Sequence, residues 1–449
     1  MAMNGRVSHM LESTEEQSMT PEKACSAGIK FGTKFKTVAV FRDADPSSQM
    51  IADALISGLL SAGADVTYGG LLSVPAAHAA YSSSFGCLLS VGNPDTENSI
   101  CGIKAYASDG TPFDSDRLYE ILRQEEKDPV DYREVGQLRY DEDANKKYIK
   151  QVLTTGVNSQ SYVILDCGCG STSLCAPQLM VDIGAEVVAF NAHPLRGQRP
   201  RAPGLNKTNL MNISNFVNAS IGSIGISFNG DGTRLAVMDE NGKYVPGDRL
   251  LALMLMYLEP EIAVVPFDSP CVVEDAFMHP LGIHGSSSPN HAERQIIRTR
   301  NDLNSVIEAM KENNADFGAL NDGTFIFPSL GYCPDAMYAA AIISELAGKR
   351  SIRNVLEEIP IYSNRTVRIS FDGNMTHFSN KLKEKIKEYD IITVSTSGNA
   401  WKIVLKNGTY VIKQNEMDPK KLVVFAESSD VVYLITMLEQ ARDIINYCI

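Results

Sequence analysis

In the stretch Ser227-Phe228-Asn229-Gly230-Asp231-Gly232-Thr233-Arg234, three side chains that carry oxygen, Asn229, Asp231 and Thr233, alternate with two glycines. A hard divalent cation such as Mg²⁺ takes several oxygen ligands, preferably charged, and in phosphoryl transfer it is usually held by carboxylates together with a phosphate. Only Asp231 brings a full charge here. Asn229 offers an amide oxygen and Thr233 a hydroxyl, so the string reads as a weak cation site. It reads equally as a tight turn, which Asn-Gly-Asp-Gly also specifies.

A second concentration of ligand-type residues, Cys271, Glu274, His279, His284 and His291, has the donors of a transition-metal site. Its spacings match no zinc signature, and loop histidines without a metal are the plainer reading. Cys167-Gly-Cys169 is too closely spaced for a zinc knuckle and reads as a turn between a strand and a helix. The chain has 9 cysteines, an odd number set mostly in apolar segments such as those of Cys87, Cys175 and Cys448. That pattern predicts reduced core thiols in a reducing compartment, hence a cytoplasmic protein.

The elements that must hold these residues belong to a soluble multidomain chain. Its 449 residues are about three times a typical domain, so several cores are expected. A net charge of −13 disfavours nucleic acid as a partner, although a local basic groove can still hold one small phosphate. No apolar run approaches the roughly 20 residues of a membrane helix, and the polar N-terminal stretch lacks a signal-peptide core.

Short apolar runs alternate with amphipathic segments. Thr37–Phe41, Asp65–Tyr68 and Cys87–Val91 predict strands, with helices carrying Ile51, Leu55 and Leu59, and Ala76 to Tyr81. After a charged boundary region from Arg123 to Asn145, strands are predicted at Tyr162–Asp166, Glu186–Phe190 and Gly222–Phe228, with a helix through Leu174 to Ile183. A third block has strands at Glu261–Phe267 and Phe317–Leu320 and helices over Asp302–Asn313 and Asp335–Ala347. The last block differs: strands at Thr366–Phe371, Ala400–Leu405, Thr409–Lys413 and Leu422–Phe425, a helix over Asn380–Glu388, and a terminal helix from about Asp430.

The strings Phe41-Arg42-Asp43-Ala44-Asp45-Pro46-Ser47-Ser48, Gly102-Ile103-Lys104-Ala105-Tyr106 and Leu235-Ala236-Val237-Met238-Asp239-Glu240-Asn241-Gly242, together with this block order, resemble the α-D-phosphohexomutases, the phosphoglucomutases and phosphomannomutases. The resemblance spans nearly the whole chain. It implies an α/β fold of three consecutive α/β domains with mixed sheets (1–142, 143–255 and 256–362) and a C-terminal α+β domain (363–449), set around a central cleft. It also implies four functional loops, and each departs from the family pattern.

The serine loop, expected as Thr-Ala/Gly-Ser-His-Asn-Pro, reads Ser90-Val91-Gly92-Asn93-Pro94. Val91 or Asn93 takes the nucleophile position, depending on the alignment, and Ser90 is displaced from it. The metal loop, expected with three aspartates, keeps Asp231 and Arg234 but has Asn229 and Thr233 in place of the others. The sugar loop, expected as Gly-Glu-x-Ser-Gly-His, is Ala319-Leu320-Asn321-Asp322-Gly323-Thr324, with Leu320 where the hexose-gripping glutamate belongs. The phosphate loop is Lys413-Gln414-Asn415-Glu416-Met417-Asp418-Pro419, in which Lys413, Asn415 and Lys420 are the remaining candidates. In the first-domain loop Arg42 and Asp43 survive but Asp45 replaces an arginine, and Gly5-Arg6 only loosely match an N-terminal motif. Lys104 and Arg234 complete the charged candidates.

Phosphoryl transfer is chiefly positioning and charge compensation. Four altered loops on an intact scaffold therefore predict a non-catalytic paralogue that binds a sugar phosphate or another small phosphorylated ligand, an active paralogue or a second copy of itself, with no cofactor. The alternative is an active phosphohexomutase with a rearranged site, which would bring Mg²⁺. In either case Asp231 and Arg234 are expected to hold the Asn229–Arg234 turn.

Overall fold

The computed structural model describes residues 10–11, 19–92, 101–194, 200–202, 204–283, 294–371, 373–389, 391–415, 418 and 420–448. Four sheets follow one another along the chain. In the first, Thr37–Arg42 runs parallel to Asp65–Leu71 on one side and to Cys87–Gly92 on the other, and Gly102–Tyr106 adds antiparallel to Cys87–Gly92. The second places Tyr162–Asp166 parallel to Glu186–Phe190 and Ser223–Phe228, with Leu235–Met238 antiparallel at the edge. The third repeats the scheme with Ile262–Pro266 between Gln295–Thr299 and Phe317–Ala319, then Phe325–Ile326 antiparallel. The fourth, Ser363–Ser370, Lys421–Ser428, Gly408–Gln414, Ala400–Leu405 and Thr393–Ser397 in spatial order, is antiparallel throughout. Three mixed α/β units and an antiparallel α+β unit are thus present, the α/β and α+β architecture that the resemblance implies.

Sequence chemistry explains the elements that carry the site. Val38 to Phe41 are fully buried because helices cover both faces of a parallel sheet, which requires a continuous apolar run. The following helix, Pro46–Ser61, starts at a proline whose missing N–H costs nothing there, and the Asp45 carboxylate accepts from the Ser47 N–H. Asp45, the residue in place of an arginine, therefore caps a helix. The helix Gly247–Leu258 is apolar on every side, and Leu250 to Tyr257 are all buried, as expected of a central helix.

Some predicted boundaries move. The helix expected over Asn380–Glu388 runs Met375–Lys385, because Asn374 accepts from the Thr376 and His377 N–H groups, and ends in a 3₁₀ turn at Ile386–Glu388. The single helix expected through Leu174 to Ile183 is a 3₁₀ turn, Ser171–Leu174, followed by Ala176–Asp182. The helix Pro21–Lys34, capped by Thr20, is not among the predicted elements; it buries Ala24, Ala27, Gly28 and Phe31, a helical spacing carried mostly by small residues.

One contiguous apolar core runs through the first three units, from Phe41 and Leu165 to Leu253, Phe317 and Ile343. The last unit has its own core, around Phe378, Trp401, Tyr410 and Ile444. Its contacts with the third unit include polar ones: Glu427 Oε1 accepts from the Cys271 N–H at 2.7 Å, Lys402 Nζ donates to Ser269 O at 3.1 Å, and Lys413 pairs with Asp268 at 2.6 Å. No helix among the described residues is long and apolar enough to cross a membrane.

Candidate active site

The turn 229–234 joins two antiparallel strands and closes on itself. Asn229 Oδ1 accepts from the Arg234 N–H at 3.0 Å, which fixes the amide so that its Nδ2 donates to Asp231 Oδ1 at 2.9 Å and to Thr233 Oγ1 at 3.0 Å. Asp231 Oδ1 also accepts from the Thr233 N–H and hydroxyl. Its other oxygen, Oδ2, accepts from Lys104 Nζ at 2.8 Å, across from the first unit. Burial raises the Asp231 carboxyl, but the Lys104 charge and hydrogen bond, the Thr233 hydroxyl and the Arg234 charge outweigh it and hold the group well below the usual carboxylate range.

Asp231 is held by Lys104, while the Arg234 guanidinium reaches Asp322 Oδ2 of the sugar loop at 3.1 Å. No sequence spacing announces a contact between residues 127 positions apart.

The turn fits Mg²⁺ poorly. The Asn229 oxygen faces backbone, the Thr233 hydroxyl donates to Asp231, and the single carboxylate already carries an ammonium. Among the described residues no group of three His, Cys, Asp or Glu side chains converges as a metal site.

Lys104 sits in Gly102–Tyr106, where its cross-strand partner is Ser90. Directly opposed residues on antiparallel strands project to the same face, so Ser90 shares the Lys104 side of the sheet. Val91 points the other way and is fully buried in a separate apolar cluster of the first unit, with Val38, Leu55 and Ile103. Gly92 ends the strand against Asp43: a Cβ there would lie 2.8 Å from the Asp43 carboxyl carbon. Asp43 itself accepts from Ser48 Oγ at 2.6 Å and the Asp45 N–H at 3.0 Å. Arg42 donates to Gln49 at 2.7 Å and to the Tyr68 hydroxyl at 2.9 Å. Asp43 and Arg42 thus brace the strand end. Asn93 and the Gly5-Arg6 pair lie outside the described residues.

The sugar loop is tied to the same place. Gly323, at φ +88°, accepts from the Leu235 N–H at 3.2 Å, and a Cβ on it would lie 2.0 Å from the Leu235 carbonyl oxygen. Leu320 N–H donates to Thr324 O, and Thr324 N–H to Asp322 Oδ1. Together the loops enclose a cavity of about 200 Å³ whose lining includes Lys104, Thr233, Arg234, Leu320, Asp322 and Thr324.

A second cavity, about 390 Å³, lies between the sugar loop and the last sheet and is lined by Asp248, Asp268, Asn321, Asn364, Thr366 and Lys413, among others. Among the described residues Asp268 Oδ1 is buried with no hydrogen-bond partner. Of the expected phosphate-loop residues, Lys413 enters this cavity paired to Asp268. Asn415 is tied by its N–H to Lys421 O, and Lys420 is exposed.

The ligand-type residues of the 271–291 stretch do not converge where described. Cys271 Sγ lies 3.0 Å from Thr409 Oγ1, with its thiol pushed up to about 12 by burial and the Glu427 charge. Glu274 pairs with Arg298, and His279 contacts the Asp275 carbonyl. His284 and His291 lie outside the described residues.

A sequence profile described as phosphoglucomutase/phosphomannomutase, alpha/beta/alpha domain I, matches residues 8–129. A protein of Methanococcoides burtonii named probable phosphoglucosamine mutase is 33% identical over 88% of this chain and 90% of its own length. The chain belongs to the α-D-phosphohexomutase family. A phosphoglucosamine mutase of Methanocaldococcus jannaschii is 26% identical over 90% of each chain. The fold is that of a solved Burkholderia thailandensis phosphoglucomutase/phosphomannomutase family protein, with a TM-score of 0.82 and 18% identity over 98% of this chain and 97% of that one.

Whole-length relatives named as mutases overturn the expectation of a non-catalytic phosphohexomutase paralogue. That expectation counted each altered loop as a separate loss. In the fold Asp322 of the sugar loop pairs with Arg234 of the metal loop, and Asn229 and Thr233 donate to the remaining Asp231.

Proposed function

We propose that this phosphohexomutase interconverts the 1- and 6-phosphates of a hexosamine. The observation that carries the reading is the 390 Å³ cavity beside the sugar loop. Asp268 Oδ1 and the Asp248 carboxylate suit an ammonium such as the 2-amino group of glucosamine, and Lys413 suits a phosphate. The relatives' names agree with an amino-sugar substrate.

A phosphoryl group carried by the protein passes to the free sugar hydroxyl: the new P–O bond forms as the bond to the protein oxygen breaks, and that oxygen takes up the proton the hydroxyl loses. The bisphosphate reorients, and the reverse step from the other position restores the carrier, so the net reaction is an isomerisation. Ser90, on the Lys104 face of the sheet, is the acceptor this reading assigns. Charge compensation comes from Lys104 and Arg234 at the smaller cavity. The reading includes a cytoplasmic protein, in keeping with its free cysteines.

Phosphorus NMR of the protein with glucosamine 6-phosphate and a trace of glucosamine 1,6-bisphosphate tests it. The 1-phosphate should accumulate to equilibrium, and Ser90→Ala should lose about 10⁴-fold or more in rate. Absence of conversion, with or without Mg²⁺, would refute the activity; a full rate in the variant would remove Ser90 as acceptor. Asp268→Asn should raise KM for the amino sugar more than for glucose 6-phosphate.

A further inference from the structure

We propose that the Lys104 ammonium takes the place of the divalent cation in this chain, so that the turn 229–234 works without a resident metal. A cation held by a carboxylate cluster does two things: it neutralises the carboxylates, and it presents positive charge to the phosphoryl oxygens. Lys104 has the placement for both. It compensates Asp231 at 2.8 Å, and it lines the cavity that Thr233, Arg234 and Asp322 also face.

The other changes in the turn follow from the same exchange. Three carboxylates around one monovalent ammonium would leave two charges uncompensated in a half-buried turn, which is costly. Asn229 and Thr233 are neutral, and each donates to the remaining carboxylate through Asn229 Nδ2 and Thr233 Oγ1. Asp231 Oδ1 thus accepts from Asn229 Nδ2 and from the Thr233 N–H and hydroxyl, while Oδ2 accepts from Lys104. A divalent ion would have to displace the ammonium and turn Asn229, whose oxygen is held by the Arg234 N–H. An ammonium on a strand cannot be removed by a chelator and imposes no octahedral geometry.

The metal half of this inference stands on the turn alone; its role in turnover rests on the mutase reading above. Mn²⁺ is titrated into chelator-washed full-length protein and followed by electron paramagnetic resonance. The signal of free Mn²⁺ should be undiminished at equimolar protein. One bound Mn²⁺ per chain that Asp231→Asn abolishes would overturn the proposal. The triple variant Lys104→Gln, Asn229→Asp, Thr233→Asp, checked for folding by circular dichroism, should bind Mn²⁺ at least about 100-fold more tightly than the parent. A folded variant with no gain would count against it, and if the variant does not fold the parent titration still decides. Conversion of glucosamine 6-phosphate should proceed equally in EDTA and in Mg²⁺; a loss of about 100-fold or more in EDTA would overturn the proposal. No conversion in either condition refutes the mutase reading and leaves the Mn²⁺ titration to judge the lysine.

Discussion

The Arg234 guanidinium lies 3.1 Å from the Asp322 carboxylate, joining a turn of the second unit to the sugar loop of the third. Both side chains are partly exposed, so the pair adds little stability, about 1 kcal/mol or less. Its effect is on charge: Asp322 offsets a cation that faces the smaller cavity. Asp322→Asn should therefore strengthen binding of inorganic phosphate and of glucosamine 6-phosphate several-fold, roughly 1 kcal/mol, read by calorimetry. Unchanged or weaker phosphate binding would show that Arg234 does not meet the phosphoryl group.

Gly323 is held at φ +88° with its missing Cβ 2.0 Å from a backbone oxygen. Gly323→Ala should destabilise the protein by roughly 2–4 kcal/mol, from left-handed strain plus displacement of the Leu235 strand. Thermal unfolding reads the loss, and phosphate binding should weaken with it because Arg234 directly precedes that strand.

Asp335 caps the helix Ala336–Lys349 and is buried, accepting from the Tyr148 hydroxyl at 2.8 and 3.0 Å. Burial pushes its carboxyl up to about 6, despite the N–H and hydroxyl donors that favour the anion. The folded state therefore holds a proton that the unfolded chain has released. Stability from this group should fall as pH rises from about 4 to 6, a penalty on the order of 3 kcal/mol that persists above pH 6. Asp335→Asn keeps an acceptor for both donors. It should raise the unfolding temperature at pH 8 and flatten the slope between pH 4 and 6; an unchanged slope would refute the assignment.

Glu427 is 2% exposed and accepts from the Cys271 N–H, beside the buried Lys402. Glu427→Ala leaves that N–H unpaired and Lys402 with less counter-charge, a cost of about 3–5 kcal/mol. The last unit has its own core, so the cost should fall on its docking. Limited proteolysis should cut faster near residues 359–363, with the first three units remaining intact as one fragment. Uniform loss of all four units would contradict this.

The sequence by itself determined the family, the three mixed α/β units and the α+β last unit. Strand patterns such as Thr37–Phe41 and turn residues such as Gly230 and Gly232 act locally, so they are legible without coordinates. What the altered loops amount to was decided only in three dimensions. Lys104 meets Asp231, Arg234 meets Asp322 and Lys413 meets Asp268 because separate units bring distant segments together. Coulomb attraction acts through space with no periodicity along the chain. A motif read residue by residue therefore registered the two missing carboxylates as losses, while the fold shows a lysine compensating the one that remains.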